Sequence, residues 1–325
     1  MTTPFGAVRR WRAPDTLRWG LGLAFATALI SGLSVFVNGA AVRVLPDPAV
    51  YTTLKNGVAA ALLIAIALAS VRRAEVRALD RRAWITLVVI GVVGGSIPFL
   101  LFFSGLAQAS APTAAFIHKT LFVWVALLAV PVLGERLGLA QVGALGVLFA
   151  GQVLVVPPTG IRWGAGETMI AAATMLWAVE SVVARRLLSR VSAPVPPQVL
   201  GAGRLGFGLV VLLAYLAITG RFGVVATLTA TQGAVALGTG FLLTGYVVTW
   251  LAALRRAPAS LVAAVLVVGA PITATLQLVV NGTMPTVPGA TGLGLILAGA
   301  LALVASAFHG SARSTEIPRA RTAPG

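Results

Sequence analysis

Ten stretches of about 20 apolar residues, separated by short polar or turn-rich breaks, constrain this chain more than any other feature of it. They fall at about 19–37, 51–71, 84–106, 112–131, 138–156, 166–184, 200–219, 232–254, 258–279 and 288–308. Each is long enough to cross hydrocarbon as a helix, so ten crossings use about 200 residues and leave only loops and tails. Composition agrees: 58% of the residues are hydrophobic and 10% charged, with a mean hydropathy of +0.97. Soluble domains carry about 25% charged residues, so a water-soluble enzyme is excluded. The expected fold class is an all-α membrane protein of ten transmembrane helices. The first stretch follows Arg9, Arg10, Arg12 and Arg18, as in a signal peptide, but its spanning length marks it as a retained helix. Cysteine is absent, which removes disulfides, thiolate metal sites and cysteine nucleophiles.

The net charge of +16 would point to nucleic acid in a soluble protein. Its distribution says otherwise. With the N-terminus in the cytoplasm, 18 basic residues fall on the inner side, in clusters such as Arg72, Arg73, Arg77, Arg81 and Arg82. Only Arg43, Arg162 and Arg221 fall outside. That asymmetry is an orientation signal. It places both termini inside and leaves nucleic acid without a role.

The chain also repeats itself. Leu106-Ala107-Gln108-Ala109-Ser110-Ala111-Pro112 resembles Ala252-Ala253-Leu254-Arg255-Arg256-Ala257-Pro258, and both mark tight helical hairpins. Gly134, Gly146 and Gly151 recur as Gly282, Gly294 and Gly299, and Lys55-Asn56 falls near Gly203-Arg204. Five spans per half is an odd number, so the second half enters the membrane upside down. Inverted repeats around a midplane site are the architecture of secondary transporters. The organisation expected is a tail at 1–18, five-helix repeats at 19–156 and 166–308, and a disordered tail at 309–325.

With its early basic residue in the second span of each half (Lys55, Arg204), the hairpin before Pro112, Leu133-Gly134-Glu135 leading into Gln141-Val142-Gly143, and a glycine-rich fifth span, the chain resembles the EamA-type branch of the drug/metabolite transporter (DMT) superfamily. It departs at Lys55, where that family more often has arginine, and at Thr283, where the repeat would place a glutamate matching Glu135. The resemblance implies a carrier whose third, fourth, eighth and ninth helices line a central cavity. It leaves amino acids, other metabolites and drugs open as substrates.

Charged groups within a bilayer are costly and mark functional sites. The chain has two lysines against 22 arginines, and both lie in spans. Lys119 sits about 10 Å deep in the fourth span, at 1.5 Å per residue. It is expected to hold an anionic group such as a carboxylate, with neighbouring His118 tuning it or carrying a proton. Glu180 and Arg204 are read as a charge pair at the inner face, structural or gating, with Asn38 as the corresponding partner of Lys55 at the outer face. Trp124, Trp177, Tyr246 and Trp250 suit a cavity for a partly apolar solute. Pro98 and Pro271, near mid-span, each free a backbone carbonyl that a neighbour, water or ligand must satisfy. Glu135 is expected to favour the N-terminal dipole of the fifth span.

Gly201-Ala202-Gly203-Arg204-Leu205-Gly206 matches a dinucleotide fingerprint but opens a membrane helix, so it is rejected. Only His118 and His309 are histidines, no metal-site pair exists, and no cofactor is expected. The function expected is export of small metabolites, amino-acid-like or otherwise carboxylate-bearing, by alternating access across a bacterial cell membrane. Efflux of lipophilic drugs is the alternative, and a non-transport membrane protein or lipid enzyme the second. Expected partners are a small-molecule substrate and membrane lipids, with protons a candidate coupling ion and a monomer or homodimer as the assembly.

Overall fold

The computed structural model describes residues 14–45, 47–157, 163–191 and 193–316. Arg9, Arg10, Arg12, Arg162, Arg319 and Arg321 of the charge count lie outside them. Among the described residues every element is a helix. In chain order these are α1 (Pro14–Val44), α2 (Pro48–Ser70), α3 (Arg73–Arg77), α4 (Arg81–Gly95), α5 (Ile97–Leu106), α6 (Ala111–Lys119), α7 (Leu121–Leu133) and α8 (Leu139–Val155). There follow α9 (Ala165–Leu188), α10 (Pro197–Ile218), α11 (Phe222–Ala226), α12 (Ala230–Arg256), α13 (Ala259–Val265), a 3-10 turn at Leu266–Val268, α14 (Gly269–Asn281) and α15 (Val287–Glu316).

Nine helical segments among the described residues are long and apolar enough to cross a membrane. The tenth expected span is α8, apolar but only 17 residues long. The bundle's outer surface is apolar: Leu127, Val210 and Leu301 are exposed in mid-helix. Such a surface suits lipid, where it costs nothing, and not water. The last helix runs on to Glu316, into the segment that the sequence assigns to a disordered tail.

Local chemistry sets the helix ends. Asp47 accepts from the N–H groups of Ala49 and Val50 ahead of Pro48, and Asp80 accepts from Ala83 N–H. Ser110 caps α6 and Thr229 caps α12 in the same way. Gly134 and Gly282, 148 positions apart, both end their helices at φ 66°. At each, two backbone N–H groups fold back onto the last turn: Gly134 to Val130 and Glu135 to Ala129, Gly282 to Leu278 and Thr283 to Gln277. A left-handed turn of this kind favours glycine.

The same 148-residue shift relates the two breaks in mid-span. The α6/α7 segment is interrupted at Thr120, and the α13/α14 segment at Leu266–Val268. It also relates the two sides of the α8–α15 contact. A Cβ on Gly151 would meet Ile296 and the Gly292 carbonyl; one on Gly299 would meet Leu148 and the Ala144 carbonyl. Each pair becomes the other when its members are shifted, a local two-fold relation. Helices alternate in direction, which gives the bundle two ends. One holds Asp47, Leu106 and Ala230, the other Asp80, Glu135 and Ala259.

Candidate substrate cavity

A cavity of about 230 Å³ opens within the bundle. It runs from Asn38, Gly39 and Leu106, towards the Asp47 end, to a floor at Leu121, Ser181 and Trp250. Residues of α1, α2, α5, α6, α7, α9, α10 and α12 line it, whereas α13 and α14 contribute none. The ninth span, expected on the wall, instead closes the far end: Ala259 and Val262 to Val268 are all buried there, with Ala253, Leu254 and Ala257.

Glycines bring the wall together. A Cβ on Gly94 would fall 2.2 Å from Glu180, and one on Gly95 would fall 1.9 Å from the Arg204 carbonyl. Only glycine lets α4 lie this close to α9 and α10. There the Glu180 carboxylate and Arg204 guanidinium pair at 3.2 Å, with side chains 2% and 5% exposed. The pair lines the cavity rather than sitting at an end face. Taking one partner away would leave a buried charge, at a cost of about 3–5 kcal/mol.

The helix break at Ser96 belongs to the same construction. Pro98, at the start of α5, has no N–H for the Gly94 carbonyl. That carbonyl accepts instead from the Trp177 indole N–H at 3.1 Å, and Asn56 Nδ2 donates to the Gly95 carbonyl at 3.1 Å. The neighbour that satisfies the freed carbonyl is therefore a cavity residue. Pro98 and Pro271 themselves are not on the wall; Pro271 sits in the first turn of α14, just past the 3-10 turn.

Lys55, His118, Lys119, Trp177, Glu180, Arg204, Tyr246 and Trp250 all line this one cavity. Trp124 does not. It is 38% exposed on the outer surface and donates to Thr120 Oγ1 at 3.1 Å. Asn38 lines the cavity near Lys55 but bonds elsewhere: its Oδ1 accepts from the Tyr51 hydroxyl, and its Nδ2 donates to the Ser34 carbonyl. Lys55 rests on aromatic rings, 4.1 Å from the Phe103 centroid and 5.2 Å from those of Tyr51 and Phe99. Such contacts stabilise a cation by about 0.5–2 kcal/mol. Lys119 ends α6 at the helix break, is 8% exposed, and has no hydrogen bond or ion pair among the described residues.

Aromatic rings fill much of the wall. His118 packs 5.0 Å from Phe102 and 5.1 Å from Trp177, which in turn sits 5.1 Å from Phe99. Tyr246 stacks on Trp250 at 6.0 Å. Phe99, Phe102 and Phe103 carry no charge to set them apart in an apolar span, although their spacing puts them on one face of a helix. Tyr51, one turn before Lys55, carried the same signal.

Glu135 acts on a different helix from the one expected. Its carboxylate accepts from Ala259 N–H at 2.6 Å, Ser260 N–H at 3.1 Å and Ser260 Oγ–H at 2.5 Å. It thus caps the start of the ninth span across the closed end, not the fifth span beside it.

Residues 18–156 match the model of the EamA-like transporter family. Among curated proteins none matches. A solved chain described as "Crystal structure of protein" is similar at a TM-score of 0.69 and 20% identity, over 93% of this chain and 99% of its own. That likeness is one of fold.

Proposed function

We propose, since residues 18–156 match the model of the EamA-like transporter family, that the chain is a secondary carrier of small carboxylate-bearing solutes, amino-acid-like among them. In this reading the spans form two inverted five-helix repeats, 19–156 and 166–308, with both termini on the cytoplasmic side of a bacterial cell membrane. The 148-residue relation of the two glycine caps, the two helix breaks and the α8–α15 contact supports that arrangement. Broken helices beside a central site are how such carriers bind and move solutes.

One observation carries the substrate class. The Lys119 ammonium is buried on the cavity wall with no carboxylate or hydrogen-bond partner among the described residues. A buried charge without a partner is costly, and an anionic solute supplies the partner. Alternating access then requires the capped end to open while the Asp47 end closes, so the three bonds of Glu135 must break in each cycle. His118, adjacent to Lys119, is the group placed to carry a coupling proton. The aromatic lining would also suit a lipophilic drug, but the excess positive charge of the wall opposes a cationic one.

Transport of a panel of amino acids and small carboxylates into proteoliposomes tests the reading. Lys119→Met should abolish transport while expression and melting temperature stay near wild type. Unchanged transport in that variant contradicts it.

A further inference from the structure

We propose that the cavity selects solutes with two negative charges on an apolar or aromatic body, held by Lys119 at one anchor and Lys55 at the other. This deepens the carrier reading and rests on it. Four charged side chains face the cavity: Lys55, Lys119, Glu180 and Arg204. Glu180 and Arg204 neutralise one another at 3.2 Å. Lys55 and Lys119 have no carboxylate within ion-pair distance among the described residues, so the wall holds two basic groups without a counter-charge.

The rings around Lys55 do not alter that count. The faces of Tyr51, Phe99 and Phe103 stabilise an ammonium through their quadrupoles but bring no negative charge. They fix its position and leave its charge free to attract. Lys119, on a separate helix, lies 3.5 Å from the point where a Cβ on Gly269 would stand. A side chain larger than glycine there would crowd the ammonium. Both lysines are nine-tenths or more buried, at 3% and 8% exposure, and both reach the same cavity. Lysine suits the task, since its three donors rotate to meet a carboxylate from any side. Phe102, Leu106, Trp177 and Tyr246 provide the apolar surface for the solute's body.

A matched pair of acids tests the charge count. Phenylsuccinate carries two carboxylates; 3-phenylpropionate is the same skeleton with one. Thermal shifts of the purified full chain are titrated with each at constant ionic strength, with tetraphenylphosphonium as a cationic control. In wild type, phenylsuccinate should half-saturate at about tenfold lower concentration, the worth of one added charge-assisted contact. Lys55→Met should weaken phenylsuccinate about tenfold and weaken the monoacid distinctly less, and Lys119→Met should weaken both. Equal half-saturation by the two acids in wild type overturns the two-charge proposal and leaves the carrier of monoanions standing, with no variant needed. Equal weakening of both acids by Lys55→Met overturns the assignment of the second anchor. Shifts with tetraphenylphosphonium and with neither acid overturn the proposal together with the anion reading beneath it.

Discussion

At the Asp47 end, one carboxylate caps α2 and pairs with Arg221 at 3.1 Å; at the Glu135 end, Asp80 caps α4 and pairs with Arg190 at 3.0 Å. Each pair ties the first half of the chain to the second. To this the Glu135 end adds a second carboxylate, which gathers three hydrogen bonds from the start of α13. The position 148 residues on, at the Asp47 end, is Thr283, and the residue corresponding to Ser260 there is Pro112, which has no N–H to give. One end is closed over fully buried alanines and leucines, and the cavity reaches towards the other. Two ends built on one plan can therefore differ in stability through a single side chain.

Substitutions can break or sharpen that difference. The largest effect is expected from Glu135→Ala, which strands two backbone N–H groups and a hydroxyl; hydrogen bonds to a charged group are worth about 1.5–3 kcal/mol each. The melting temperature should fall and the closed end loosen, with Glu135→Gln intermediate because its amide oxygen still accepts. Next comes Gly20→Val. A Cβ on Gly20 would stand 2.8 Å from the Ala257 Cβ, so the larger side chain wedges α1 from the closed end. Overpacking of this kind costs about 1–3 kcal/mol, readable in the same melt. Thr283→Glu, which writes the missing carboxylate into the Asp47 end, should change stability by under about 1 kcal/mol, because Pro112 removes a donor.

The smallest effects belong to the two part-exposed pairs. Arg221→Ala and Arg190→Ala should each cost under about 1 kcal/mol at neutral pH. Arg190→Ala should also change the acid limb of the stability curve. The Arg190 guanidinium, with Ala83 N–H, holds the Asp80 carboxyl below its ordinary value. A depressed carboxyl stabilises the fold above its unfolded value and loses that contribution as pH falls through the folded one. Melts from neutral pH down into the carboxylate range should therefore converge for wild type and Arg190→Ala at the acid end.

Much of this comparison could be read in the sequence. Apolar length located the helices, and the break at Ser110-Ala111-Pro112 marked a hairpin between two of them. Charges placed in apolar surroundings pointed to Lys55, Lys119, Glu180 and Arg204, which the fold gathers around one cavity. What stayed hidden depends on contacts between distant segments. Glu135 and Ser260 are 125 positions apart, and nothing local to Glu135 reveals that its partner is α13 rather than α8. The break at Thr120 contains neither glycine nor proline, so tertiary packing sets it, whereas the one at Leu266–Val268 falls where Pro271 has no N–H for the Val267 carbonyl. The outward turn of Trp124 was equally illegible, since a tryptophan suits a cavity wall and a lipid-facing surface alike.

The chain's lack of cysteine makes the difference between the ends directly measurable. Gly39→Cys places a thiol at the cavity's mouth, where a Cβ meets nothing within 4 Å, and Leu254→Cys places one in the buried closed end. Labelling of each single cysteine with a membrane-impermeant maleimide, applied to both faces of the membrane, reads which end is open. Expected is rapid labelling of Gly39→Cys and none of Leu254→Cys, with Glu135→Ala slowing the first and admitting the second. Labelling of Leu254→Cys with Glu135 intact, or rates at both positions that ignore Glu135→Ala, would contradict a closed end held by that carboxylate.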